Sequence, residues 1–441
     1  MRREWGPLAA ACLALFFTGG GAGGAGVTDA AGGLEANWGR DRRAALSAGA
    51  GADDLDSPMD GNLVPNAALS TPGVKAGAPA GWTFDAWGRN AATGSWFPSP
   101  DLPGGYALRV NVSRHEDGDA KWHFDRIRLA GDTWYSYRDL HRSDGRSRLI
   151  LSCRDTATGA IRYRSLGQSS ASASWRKESV RFYIGPSDGC QATILHLVDR
   201  NGFLETAHPV LVGVPPRPLA RPLVSVAFDD GWKGAVTTAR ADLEARGFVG
   251  SFYLVKSFID HPGGQYASTS DLRVLVADAA KKGHEIGSHT AHHGPLTLLP
   301  AGQLRAELRE NLDWLSGLGV VRAGFAYPLG DFDRTVEPEA RSLHPYARTS
   351  LDGLNDGTTD RFRIRVRTVT AETDTASILA SIDDAVRSST WLVLLFHDIG
   401  PSDPANPYRT SRAQYLTVLD RLSEGDATVV TVAAALQKLG T

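Results

Sequence analysis

Two adjacent carboxylates, Asp229 and Asp230, close an apolar run that reads Leu223-Val-Ser-Val-Ala-Phe228 and turns at Gly231. Downstream lies a polar cluster, Ser288-His-Thr-Ala-His-His293. One carboxylate with two imidazoles four residues apart, His289 and His293, is a set that a catalytic zinc takes while keeping a position open for water. The second carboxylate is then free to act as a base beside the metal. His284 and His292 compete for the same imidazole places. His397 follows another apolar run, Trp391-Leu-Val-Leu-Leu-Phe396, and a histidine at a strand end is poised to act as a general acid. These residue types point to metal-assisted hydrolysis.

Such groups need a scaffold that brings strand ends together. After Pro215-Pro-Arg-Pro218 and Arg221-Pro222, a stiff hinge spanning 216–222, the pattern alternates strands and helices. Strands are expected at 223–228, 250–255, 323–327 and 391–396, and helices at 235–247, 271–283, 300–317, 376–388 and 412–423. Alternation of this kind implies a parallel sheet or barrel with its chemistry at the C-terminal strand ends. The polar clusters fall at those ends.

The preceding segment, 59–215, reads differently. Tyr106-Ala-Leu-Arg-Val-Asn-Val112, Arg148-Leu-Ile-Leu-Ser-Cys153, Ser179-Val-Arg-Phe-Tyr-Ile184 and Ala192-Thr-Ile-Leu-His-Leu-Val198 are short β-rich runs bounded by Gly, Asp, Ser or Pro. They imply an all-β sandwich. Six tryptophans, Trp82, Trp87, Trp96, Trp122, Trp134 and Trp175, gather here. Aromatic faces stack on sugar rings, but tryptophans also build sandwich cores.

The chain has 441 residues, 42% hydrophobic and 22% charged, with a formal net charge of −2. That length calls for more than one core. The balance offers no bulk field for nucleic acid or an anionic membrane. Residues 1–26 resemble an export signal, with Arg2 and Arg3 before an apolar stretch and a run of small residues. The apolar stretch is too short to anchor in a bilayer. Residues 27–58, rich in Gly, Ala and Asp, read as a flexible linker. A secreted protein is therefore expected, and Cys153 and Cys190 would pair in an oxidising compartment.

Three ordered strings carry a resemblance. Ala227-Phe-Asp-Asp-Gly231, His289-Thr-Ala-His-His293 and Leu394-Leu-Phe-His397 resemble the first, second and closing motifs of the polysaccharide deacetylases, the NodB-homology carbohydrate esterases of family four. The resemblance implies that 223–441 is a catalytic domain folded as a distorted (β/α) barrel of about seven strands. It implies Asp229 as catalytic base, His397 as general acid, and Asp230, His289 and His293 as ligands of zinc, or of cobalt or nickel. Tyr327, Pro328 and Trp232 are expected to touch substrate, with a backbone N–H near Tyr327 helping to hold the oxyanion. The segment 59–215 is similar to jelly-roll carbohydrate-binding modules.

Two departures bear on substrate. Phe325-Ala-Tyr-Pro-Leu-Gly-Asp331 lacks the arginine usual in the third motif; Arg322 is nearest, and Arg363 or Arg365 is the expected replacement that orients the base. The Tyr-Pro-x-Gly form resembles deacetylases of exopolysaccharide and poly-β-1,6-N-acetylglucosamine. The Asp-Trp pair of the fourth motif is also missing, with Leu351-Asp-Gly-Leu-Asn355 in its region. The expected activity is removal of N-acetyl groups from an N-acetylglucosamine-containing glycan, exopolysaccharide or chitin-like, by a monomer without a nucleic-acid partner or membrane span. An O-acetyl xylan esterase, a peptidoglycan deacetylase, or a non-catalytic carbohydrate-binding surface protein are the alternatives.

Overall fold

A computed structural model describes residues 61–102, 105–403 and 405–439. The expected signal and linker lie outside the described residues. Eleven strands come first: β1 Trp82–Trp87, β2 Asn90–Pro98, β3 Tyr106–His115, β4 Asp119–Phe124, β5 Ile127–Leu129, β6 Thr133–Ser143, β7 Ser147–Asp155, β8 Ile161–Ser169, β9 Ser172–Ile184, β10 Cys190–Val198 and β11 Gly202–Val214. They form two antiparallel sheets, β1-β4-β10-β7-β8 with β5 on β10, and β2-β3-β11-β6-β9. Alternate residues of both sheets, among them Val110, Phe124, Leu151, Phe182, Ile194 and Leu211, share one apolar core, so the unit is a β-sandwich. Trp82 and Trp122 belong to that core, and Trp134 is also buried. Trp87 is the most open of the six tryptophans, 39% exposed. Cys153 and Cys190 form a disulfide between β7 and β10.

The Pro-rich segment is held rather than loose. Arg181 donates to the Pro215 carbonyl, and the Leu219 amide donates to Ser389 at 2.6 Å. Then come β12 Leu223–Phe228, β13 Ser251–Leu254, β14 Glu285–Ser288, β15 Phe325–Ala326, β16 Ala347–Asp352, β17 Ile364–Thr368 and β18 Trp391–Phe396. Every neighbouring pair is parallel, and β12 pairs with both β13 and β18, so seven strands close a barrel. Its first strand shows why no polar alternation marks it. Val224, Val226 and Phe228 face the covering helices with Leu272, Ile382 and Tyr415, while Leu223 and Ala227 face the interior with Tyr253 and Val393. Both faces are dry, so apolar residues line both, and the one buried hydroxyl between them, Ser225, accepts from Trp391 Nε1. The sequence-expected helices are found as Thr269–Lys282, Ala301–Gly317, Thr375–Ser388 and Arg412–Leu422. The expected helix at 235–247 is shorter and opens with a π-helical turn, Ala235–Ala239, before Arg240–Glu244.

Candidate active site

Asp229 and Asp230 leave the C-terminal end of β12. The Asp229 amide still donates to the Phe396 carbonyl of β18 at 3.1 Å, so its backbone belongs to the barrel wall. Asp230 then takes φ 71° and Gly231 φ 81°, and the chain reverses. A Cβ at 231 would meet Ile259 Cδ1 at 2.9 Å, so space and backbone both select glycine. The reversal separates the carboxylates. Asp229 Oδ1 accepts from the buried Arg348 guanidinium, leaving Oδ2 3.7 Å from His289 Nε2. Asp230 Oδ2 accepts from Trp232 Nε1 at 3.0 Å, and its Oδ1 lies 3.5 Å from His289 Nε2 and 3.4 Å from His293 Nε2.

His289 leaves β14, and its Nδ1 lies 2.8 Å from the Ala326 carbonyl. A carbonyl can only accept, so Nδ1 carries the proton and the Nε2 lone pair faces the carboxylates. The four-residue histidine spacing is closed by a loop, not a helix. Thr290 and His293 both adopt positive φ, and the His293 amide donates to Thr290 Oγ1 at 3.0 Å. Burial pushes the His289 imidazole down to about 4, so it is neutral near pH 7. Burial alone would raise the Asp230 carboxyl, but His293, His397 and His289 outweigh it and hold Asp230 below the usual carboxylate range.

Asp230 Oδ1 is buried and has no hydrogen-bond donor. A bare carboxylate oxygen facing two imidazole nitrogens, one of them the unprotonated Nε2 of His289, lacks the positive charge that would balance it. Within 4.8 Å of one another, the ligand atoms of Asp230, His289 and His293 fit a divalent cation with nitrogen and oxygen donors. Among the described residues they are the one cluster with that geometry. His284 lies apart, accepting from the Gly250 amide and facing Glu244. His292 is exposed and paired with Glu307 at 2.9 Å. His397, half-buried after β18, packs its ring 4.9 Å from Tyr408, close enough to act on Asp230 electrostatically.

Residues 217–346 match the family model described as polysaccharide deacetylase. That stretch belongs to the polysaccharide deacetylase family. Solved structures similar to the chain include the Xyl-CE4 domain of a multidomain xylanase from the hindgut metagenome of Trinervitermes trinervoides, at 18% identity over 50% of this chain and 92% of that one, TM-score 0.36. Peptidoglycan deacetylase PdaC from Bacillus subtilis is 18% identical over 50% of this chain and 92% of that one, TM-score 0.33. A family 4 acetyl xylan esterase from Clostridium thermocellum, in complex with a cobalt ion, is 17% identical over 49% and 90%, TM-score 0.35. Among curated protein sequences, none matches significantly.

Several expectations for this deacetylase-family domain need correction. The arginine on Asp229 is Arg348, from β16, with its guanidinium 5.0 Å from the Tyr253 ring inside the barrel. Arg363 instead pairs with Glu337, Arg365 donates to the Asp352 and Leu166 carbonyls, and Arg322 is exposed. Trp232 is buried and braces Asp230, so its indole N–H is not free for sugar. Tyr327 and Pro328 are buried too, Tyr327 stacking on Phe332 at 5.0 Å. The Tyr327 amide donates to the Arg348 carbonyl at 3.1 Å, so it cannot also hold an oxyanion. Arg348 carried no local signal beyond being a charge among the buried residues that open β16.

Proposed function

We propose that this chain is a secreted, metal-dependent polysaccharide deacetylase that hydrolyses N-acetyl groups from an N-acetylglucosamine-containing glycan, exopolysaccharide or chitin-like. In this reading 59–215 is the sandwich, 216–222 the hinge and 223–441 the catalytic domain. The observation that carries it is the division of labour in the carboxylate pair: Asp230 faces two imidazoles with an unsatisfied oxygen, while Asp229 is held by Arg348. The disulfide supports an oxidising compartment, and no helix among the described residues is long and apolar enough to cross a membrane.

Asp230, His289 and His293 would hold zinc, or cobalt or nickel, and Trp232 fixes the rotation of the Asp230 carboxylate so that Oδ1 faces inward. Such an ion, when bound, polarises the acetyl carbonyl and acidifies water. Asp229 Oδ2 takes the proton of the attacking water, and the Arg348 contact orients that carboxylate. His397 delivers a proton to the departing sugar nitrogen, so the amine leaves neutral rather than as an anion. The Tyr327-Pro-Leu-Gly330 form of the third motif supports an aminosugar substrate over xylan.

Acetate release from N-acetylglucosamine oligomers, acetylated xylan and peptidoglycan, each with and without chelator, tests the proposal. Release from the oligomers that chelator abolishes is expected. Preference for xylan or peptidoglycan would move the substrate to that glycan, and no release from any of the three would reject the activity.

A further inference from the structure

Asp331 ties together three segments that are far apart in sequence. Thr297, four residues after His293, donates to Asp331 through its hydroxyl, and its amide lies 3.4 Å from the same oxygen, Asp331 Oδ2. The other oxygen accepts from Arg146, in the turn between β6 and β7 of the sandwich. Two further bonds run alongside: Gln168 Nε2 to the Phe332 carbonyl at 2.7 Å and the Arg334 amide to Ser170 Oγ at 3.1 Å. The loop held in this way begins at Tyr327, directly after the carbonyl that fixes the His289 tautomer. It includes Leu329, a non-glycine residue at φ 59° whose side chain is 47% exposed. Leu298, next to Thr297, is 78% exposed. Leucine gains nothing from left-handed backbone or from water, so a conformation imposed by its surroundings marks a site in use.

We propose that Arg146 is a positioning residue for the active site, and that the sandwich forms one wall of the groove that takes the glycan. Through Asp331 it sets the spacing of the two loops that flank the Asp-His-His cluster. Leu298 and Leu329 then offer apolar contacts to the face of a neutral pyranose in a polymer, beyond the acetyl-bearing unit. The ligands and base have anchors of their own in Ala326, Trp232 and Arg348, so losing Arg146 disturbs polymer binding rather than the chemical step. The assignment of substrate rests on the proposed deacetylase activity; the loop coupling does not.

Two measurements on the full-length protein separate these. Hydrogen exchange of peptides covering 294–300 and 327–333 is expected to quicken in Arg146→Ala and return toward wild type in Arg146→Lys, with the metal content of both variants unchanged. Unaltered exchange in those peptides overturns the latch whether or not the protein is active. With N-acetylglucosamine oligomers, Arg146→Ala should raise KM about tenfold or more while kcat stays within about twofold, and Leu329→Ala should do the same. Equal losses on oligomers and on a small aryl acetate, or a fall in kcat alone, would overturn the positioning role. Wild-type inactivity on every glycan with the exchange effect intact would reject the proposed function and leave the coupling standing.

Discussion

Asp229 and Asp230 are chemically identical neighbours, and what distinguishes them is a single backbone reversal. The left-handed turn at Asp230 lets one carboxylate remain in register with the strand while the other swings toward the imidazoles. Each is then held by its own partner, Arg348 or Trp232. Arg348→Ala should lower kcat by about 10²-fold or more, since a general base that is misplaced loses most of its contribution. Metal stoichiometry, measured on the same sample, should stay at one per chain; unchanged kcat would remove Arg348 from the base. Trp232→Phe keeps the bulk but deletes the donor to Asp230, and zinc affinity measured by competition with a chromophoric chelator should fall roughly 10–100-fold. The carboxylates and histidines were legible in the sequence because their types and order are unusual. Arg348 was not, because its role depends on barrel closure carrying a side chain from β16 across the interior to β12. Trp232 reads as a substrate contact because nothing local reveals that its ring is covered.

The strands that read most clearly were those dry on both faces, β12 and β18, where six buried residues in a row leave little ambiguity. The edges of legibility were β14, β16 and β17, none of which the sequence pattern marks as a strand. Each is short or polar, and closure of the barrel, not local propensity, sets it as a strand. The loops after β12, β14 and β18 hold the chemistry. Of nine non-glycine residues with positive φ among the described residues, Asp230, Thr290, His293 and Leu329 all lie around the site, a concentration that no propensity scale anticipates. Buried imidazoles elsewhere make both folds sensitive to acid. His344 packs on Phe325 with centroids 4.6 Å apart, and burial holds its value at about 4. In the sandwich, burial and then the neighbouring His196 hold His141 at about 4 as well. Both folded values lie below the unfolded 6.5, so the stability is present above pH 6.5 and drains away as pH falls toward 4. Each imidazole should cost roughly 3 kcal/mol across that window. Urea unfolding at pH 7 and pH 4.5 checks this: His344→Phe should flatten the pH dependence by one such share, and an unchanged slope would contradict it.

At the scale of the whole molecule, a sandwich stapled by one disulfide meets a barrel through contacts that include the loop after β15. The order of β-sandwich then barrel and the cysteine pair were legible from the strand pattern and the cysteine count. The seam was not, because Arg146, Gln168 and Asp331 are ordinary polar residues until both domains are folded. The Cys153–Cys190 link, 37 residues apart in sequence, should contribute about 4 kcal/mol in the chain-entropy account. Cys153→Ala with Cys190→Ala should therefore lower the calorimetric unfolding temperature while zinc stoichiometry holds. Parallel loss of metal would show that the barrel needs the stapled sandwich. The central claim remains the separation of the two carboxylates, and one paired measurement tests it most directly: bound metal and acetate release from N-acetylglucosamine oligomers for Asp229→Asn and Asp230→Ala after zinc reconstitution. Asp229→Asn should carry one zinc per chain and release no acetate, whereas Asp230→Ala should carry none. A zinc-loaded Asp229→Asn that turns over at the wild-type rate, or an Asp230→Ala that keeps its metal, would contradict the account.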